Sequence, residues 1–141
     1  MTDAVISLTS LLVPTKTADI DYPGIEGFKL SLSFLSREEL VKIRKKATKI
    51  VYKNRQQTEE LNDELFLQLY VGAVIKGWTG LKLKHLAQLA PVDLSAHKDT
   101  EQELKYSAEN ALALMKSSSD FDSFITETAS ELENFQSNSG K

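Results

Sequence analysis

Residues 28–36 read FKLSLSFLS, and the first seven alternate strictly between apolar and polar side chains. Phe28, Leu30, Leu32 and Phe34 fall on one side of an extended chain, and a lysine and two serines fall on the other. A period of two along this stretch predicts a β-strand with one buried face. Because two strands alone are marginally stable in water, we expect this strand and its partner to pack against apolar surface elsewhere in the chain.

The preceding residues contain a candidate partner strand. Residues 4–13, AVISLTSLLV, are rich in β-branched and apolar side chains, which favours a strand antiparallel to the first. Residues 14–27 contain two of the three prolines and two glycines, so they are predicted to be a loop. The two strands would form a small N-terminal β-unit.

The first predicted helix begins at Ser36, whose hydroxyl can cap it, and Glu39 completes a capping box three residues later. Apolar residues continue at helical spacing as far as Val51. The second predicted helix begins near Thr58 and ends at Gly77. Its polar positions, four residues apart, form one narrow stripe: Glu64, Gln68, Gly72 and Lys76.

The rest of the second helix is apolar over most of its circumference. Such a helix is either central to the core or keeps a second apolar face for a partner, and the central position is preferred in a chain of 141 residues. Gly72 would let another backbone approach closely. Trp78 is predicted to be a structural plug that folds back onto the apolar end of this helix.

Two further helices are predicted, one beginning near Ser107 and one capped by Ser119, with a short helix within residues 81–89. The predicted fold class is therefore α+β and mainly α, with a small N-terminal two-stranded β-unit packed on about four helices. Residues 1–135 are expected to form a single domain, and residues 136–141 a flexible C-terminal tail.

Composition limits the functional classes. The chain has no cysteine, which excludes disulfides, thiolate nucleophiles and cysteine-ligated metals and suits a cytoplasmic protein. The longest apolar-rich segment, residues 65–75, is too short to span a bilayer. His85 and His97 lack ligand-spaced partners apart from Asp99, and the glycines follow no phosphate-binding pattern. We expect no enzymatic activity, no cofactor, no metal and no membrane partner.

The net charge is −3, but the charges are unevenly distributed. Residues 37–55 contain eight lysines and arginines against two glutamates, whereas residues 98–141 contain nine acids against four bases. A small nucleic-acid-binding protein is the alternative function, because the predicted helix over residues 42–55 could contact phosphates. The preferred interpretation is a solvated helix face without nucleic acid, since Tyr52 is the only aromatic residue there. The cations in question are Lys42, Arg44, Lys45, Lys46, Lys49, Lys53 and Arg55.

Three segments together resemble a known family. Residues 28–48, FKLSLSFLSREELVKIRKKAT, residues 64–82, ELFLQLYVGAVIKGWTGLK, and residues 105–135, KYSAENALALMKSSSDFDSFITETASELENF, occur in an order and spacing similar to those of tail assembly chaperones from long, flexible-tailed bacteriophages. The resemblance runs from Phe28 to Phe135, most of the chain.

The resemblance implies a helper protein in the cytoplasm of the infected host. Such a protein would bind and solubilise the apolar tape measure protein, help to recruit tail tube protein, self-associate, and be absent from the mature virion. The apolar surplus on the second and fourth predicted helices suits this role. The candidate partner-binding surface comprises Phe66, Tyr70, Val74, Phe121 and Phe124.

The family also often makes a longer product by ribosomal frameshifting. The final residues, Gly140 and Lys141, are those that a slippery run of guanines followed by adenines would encode. We therefore expect that a frameshifted longer form could recruit the tail tube protein. Sequencing the gene for such a run and an open −1 frame tests this expectation.

Overall fold

Six α-helices and five β-strands lie within residues 5–13 and 15–136, which are the residues that a computed structural model describes. The elements are α1 (Leu8–Leu11), β1 (Thr15–Asp21), β2 (Lys29–Leu35), α2 (Arg37–Lys46), β3 (Thr48–Lys53), β4 (Gln56–Leu61), α3 (Asp63–Val74), β5 (Ile75–Thr79), α4 (Leu83–Leu89), α5 (Ala108–Ser117) and α6 (Ser119–Ser130), followed by a 3₁₀-helix (Leu132–Phe135).

The strands form two antiparallel sheets, one of three strands in the order β1–β2–β5 and one hairpin of β3 and β4. The predicted fold class, mainly α with a single two-stranded N-terminal unit, is therefore wrong. Strands interleave with helices as far as Thr79, and β5 joins the sheet beside β2 only after α2, the β3–β4 hairpin and α3.

The partner of β2 is not the segment that the sequence favours. Thr15 pairs with Leu35 and Asp21 with Lys29, so β1 lies within the predicted loop, while residues 8–11 form a single helical turn. The apolar pattern was misleading because β1 is an edge strand whose inner face carries only two apolar side chains, Ala18 and Ile20, both partly buried. An edge strand needs few apolar residues, since only part of one face is covered.

The first predicted helix is correct at its start and wrong at its end. The Ser36 hydroxyl accepts a hydrogen bond from the Glu39 backbone N–H at 3.3 Å, which confirms the cap. The helix ends at Lys46, and residues 48–61 form a hairpin whose two-residue turn has φ values of 51° at Asn54 and 65° at Arg55. β-Branched residues in this stretch favour a strand, and left-handed conformations at both turn positions match the twist of a hairpin.

The second predicted helix is shorter than expected at both ends. It begins at Asp63, where the Asn62 side chain accepts a hydrogen bond from the Leu65 N–H at 3.0 Å, and it ends at Val74 rather than at Gly77. The next five residues form β5, in which Trp78 pairs with Leu30 of β2. A short apolar run fits a buried strand as well as a helix, which explains the error.

The C-terminal helices follow the prediction closely. Ser107 caps α5, and the short helix α4 lies within residues 81–89. The cap of α6 is Ser118 rather than Ser119: its buried hydroxyl accepts a hydrogen bond from the Phe121 N–H at 3.1 Å. The predicted tail, apart from Gln136, and the Gly140–Lys141 end lie outside the described residues.

The core forms where α3 and α6 pack on the inner face of β2, with α5 packed against both helices. Leu30 and Leu32 of β2 are fully buried with Phe121 and Ile125 of α6, while the opposite face of the sheet exposes polar residues such as Lys29. Within the described residues, no helix has both the length and the apolar character that crossing a membrane requires.

Candidate partner-binding surface

An apolar groove of about 270 Å³ opens where the end of β2 meets α2, α3 and α6. This groove, called the α2–α3–α6 groove below, is smaller than the roughly 300–1,000 Å³ of small-molecule sites. It has room for a few side chains of a protein partner. Its lining residues are Phe34, Leu35, Arg37, Leu40, Tyr70, Val74, Ala129 and Ser130.

Local sequence explains how these residues meet. The Ser36 cap turns the chain directly from β2 into α2, so Leu35 and Leu40 lie on either side of that turn. Tyr70 and Val74 are one helical turn apart on α3 and therefore face the same side. Ala129 is in the last turn of α6, and the small side chains of that turn leave the groove open.

The apolar surface continues along α3 beyond the groove. The rings of Phe66 and Tyr70 stack with centroids 6.2 Å apart and an interplanar angle of 19°. The Arg44 guanidinium of α2 lies 5.6 Å from the centre of the Phe66 ring, within cation–π range. Partial burial, and secondarily the nearby Asp122 carboxylate, raise the pKa of the Tyr70 phenol, so it stays neutral at physiological pH.

The five residues predicted as a partner surface are only partly brought together. Phe66, Tyr70 and Val74 share one side of α3, but Val74 is buried and forms the inner wall of the groove. Phe121 is fully buried in the core, and Phe124 lies half-buried with its ring centre 4.8 Å from that of Tyr22. Burial therefore removes Phe121 from any surface that a partner could reach.

Sequence reasoning missed the other side of the groove. Leu40 belongs to the apolar stripe of the first predicted helix. Such a stripe could have indicated that Leu40 packs against another element, which is α3 in the structure. No local signal connects Phe34 or Ala129 with Tyr70, because these residues are far apart in the chain and meet only after β2, α3 and α6 have packed.

Trp78 is buried in β5 and is not part of the groove lining. The rings of Phe28, Tyr106 and Phe121 surround it edge-on, at centroid distances of 6.1, 5.3 and 6.5 Å. Trp78 is therefore part of the core that supports the groove. The structural role proposed for it from the sequence stays a prediction that substitution can test.

The basic residues 42–55 do not form one helix. Four of the seven cations are on α2, Lys49 and Lys53 are on β3, and Arg55 is in the hairpin turn. Lys53 Nζ lies 2.7 Å from a Glu60 carboxylate oxygen, and this hydrogen bond lowers the pKa of Glu60. Lys42 Nζ lies 3.2 Å from Glu39. Carboxylates therefore interrupt the basic surface, and the predicted continuous basic helix is wrong.

The two histidines lie apart from the groove. His85 Nδ1 accepts a hydrogen bond from the Lys82 backbone N–H at 3.2 Å, and partial burial together with Lys84 and Lys82 lowers its pKa. His97 is exposed. Among residues 5–13 and 15–136, no group of three or more histidine and acidic side chains is arranged to hold a metal ion.

Comparison with known proteins relates the chain to a prophage family. A family model described as "YdaY prophage protein" matches residues 35–141, the greater part of the chain. The matched range includes α2, α3 and α6, which form three sides of the groove, and excludes β1 and almost all of β2. No curated protein and no solved structure matches the chain significantly.

Proposed function

The chain belongs to the YdaY prophage protein family and is therefore phage-derived, and from this premise we propose that it is a tail assembly chaperone. It binds and solubilises the tape measure protein of its own phage during tail assembly in the host cytoplasm. It also helps to recruit tail tube subunits, in part through a frameshifted longer form, and is absent from the mature virion.

The observation that carries this proposal is the open apolar surface formed by the groove and the Phe66–Tyr70 stack. An amphipathic helix can bury its apolar face in such a groove, which is a common way to recognise helical segments. Arg37 lines the groove and Arg44 lies over Phe66, so acidic residues that flank the apolar stripe of the client would be favoured.

Two other observations support a chaperone over an enzyme. The three segments that resemble tail assembly chaperones overlap the range matched by the prophage family model. Apart from Arg37 and Ser130, the described residues that line the groove are aliphatic or aromatic, which suits binding of apolar protein segments rather than acid–base chemistry. The role is therefore proposed to be non-enzymatic.

Co-expression with the tape measure gene of the same prophage tests the proposal. We expect soluble tape measure protein to increase when the chain is present and to co-purify with it. Leu40→Lys places a charge in the groove and should abolish both effects. Val92→Lys is a matched control, because Val92 is 42% exposed, Leu40 is 36% exposed, and Val92 is not part of the groove lining.

Thermal unfolding of both variants must show that each remains folded. Equal recovery of soluble tape measure protein with and without the chain would exclude the chaperone role. An equal loss of soluble tape measure protein with Leu40→Lys and with Val92→Lys would show that the groove is not the site of binding.

A further inference from the structure

The N-terminal arm, residues 5–13 (VISLTSLLV), leaves all six of its aliphatic side chains exposed, from 59% at Val13 to 97% at Val5. It contains no charged residue. A contiguous apolar surface of this kind on a water-exposed segment marks a site of contact with another molecule or another part of the protein. Val5, Leu8 and Leu12 recur at helical spacing and can present one apolar face.

The arm leaves the fold beside the groove but does not enter it. Thr15, the first residue of β1, pairs with Leu35, which lines the groove. Within its own chain the arm instead lies beside the start of α2, where Thr9, Leu12 and Val13 border a second cavity of about 470 Å³ that shares only Arg37 with the groove. The α2 residues of that cavity are polar or charged, so they give the aliphatic side chains little cover.

We propose that the N-terminal arm of one copy packs into the α2–α3–α6 groove of a second copy. The chain carries an apolar arm and an apolar groove that are both uncovered, and pairing them between copies covers both at once. Reciprocal exchange about a twofold axis would bury two arms and two grooves in a closed dimer. The match is one of apolar surfaces, because six of the eight residues that line the groove are aliphatic or aromatic and six of the nine arm residues are aliphatic.

This inference does not depend on the tape measure protein, because it concerns copies of the chain alone. If both proposals hold, the arm and the client compete for one groove, and the protein stays self-associated until a client displaces the arm. An arm variant leaves the groove intact, so it should lose self-association and keep client binding. The two proposals can therefore fail separately.

The absence of cysteine from the chain allows a direct cross-linking test. The Leu12→Cys variant carries one affinity tag and the Leu40→Cys variant carries a different one. The two variants are mixed under mild oxidation. We expect disulfide-linked heterodimers to accumulate at least about tenfold faster than in the control pair of Leu12→Cys and Val92→Cys. Equal rates for the two pairs would overturn the proposal, because they indicate random collision.

Sedimentation of the full chain over a hundredfold range of concentration gives a second measurement. We expect self-association that Leu8→Ser combined with Leu12→Ser weakens at least about tenfold, without a change in melting temperature. A monomer at every concentration would overturn the proposal. Rapid intramolecular cross-linking of the Leu12→Cys/Leu40→Cys double variant as a monomer would also overturn it, because the arm would then lie in its own groove. Binding of lipid vesicles through the arm, without any self-association, would overturn it as well.

Discussion

The indole Nε1 of Trp78 donates a hydrogen bond to the backbone carbonyl of Leu104, 2.9 Å away. The Leu104 N–H in turn donates to the Leu81 carbonyl at 2.7 Å, and the Tyr106 hydroxyl donates to the Ile75 carbonyl at 2.9 Å. These bonds attach the segment between α4 and α5 to β5 and to Leu81, which follows it. Trp78 thus links the outer edge of the sheet to a segment that is distant in sequence.

Replacing Trp78 by alanine should lower the free energy of unfolding by about 3–5 kcal/mol, because it leaves a cavity among three aromatic rings and removes the bond to Leu104. Trp78→Phe should cost less, since it keeps part of the ring contact. Urea denaturation measures both losses. If Trp78→Ala unfolds like the wild type and loses only partner binding, then Trp78 is a binding residue rather than a structural one.

Gly80 and Gly72 should respond to alanine in opposite directions. Gly80 has a φ of 80°, and a Cβ there would lie only 1.9 Å from the Gly27 carbonyl oxygen, so Gly80→Ala should cost at least about 2 kcal/mol. Gly72 is exposed within α3 and a Cβ would meet nothing within 4 Å, which rules out the close backbone approach expected there. Gly72→Ala should stabilise the protein by up to about 1 kcal/mol. Thermal unfolding of the two variants measures both effects. If the two substitutions changed the stability in the same direction, the result would contradict the structure.

Arg55→Gly should stabilise the β3–β4 hairpin by about 0.5–1 kcal/mol, because glycine adopts a positive φ without the steric cost that arginine incurs. The change creates an Asn-Gly turn, which is the preferred sequence for this geometry. Hydrogen exchange of the β3 and β4 amides should slow. Asn54→Gly is the control and should have a smaller effect, since asparagine tolerates the left-handed conformation better. Faster exchange in Arg55→Gly would contradict the assigned turn.

The Glu101 carboxylate should titrate far below its ordinary range. Hydrogen bonds from Lys84 and then Lys82 lower its pKa from 4.5 to about 2. Because the folded-state pKa is depressed, any stabilisation by these contacts is present above pH 4.5 and is lost as the pH falls towards 2. Lys84→Met should raise the pKa of Glu101 towards its ordinary value, as followed by carboxyl chemical shifts in NMR. An unchanged titration in Lys84→Met would show that Lys84 does not contact Glu101 in solution.

We expect no binding of DNA or RNA at physiological ionic strength. The cations of residues 42–55 are divided among a helix, a strand and a turn, and Glu39 and Glu60 pair with two of them. Phosphate binding would need a continuous basic surface and would weaken steeply with salt. Fluorescence anisotropy with duplex DNA and single-stranded RNA provides the measurement. Tight, salt-sensitive binding that Lys45→Glu and Lys46→Glu abolish would favour the nucleic-acid alternative.

Features that depend only on neighbouring residues could be predicted from the sequence. Ser36 and Ser107 cap helices because a cap hydroxyl bonds to a backbone N–H only a few residues away. The alternation in residues 28–34 identified β2, since Leu30 and Leu32 on its inner face are fully buried, although Phe34 is only half-buried. The order of three segments also pointed to a phage protein, and the family match supports phage origin without identifying the role in tail assembly.

The pairing of the strands and the position of the groove could not be predicted in this way, because both depend on contacts between distant segments. The hydrogen-bond partner of β2 is chosen by competition among distant segments, and the weakly apolar β1 was selected over the more apolar arm. Ile75–Thr79 became a strand because β2 offered a free edge, although its apolar run also fits the end of a helix. The groove exists only where Leu40, Tyr70 and Ala129 meet, and contacts between residues so far apart leave no periodic signal in the sequence.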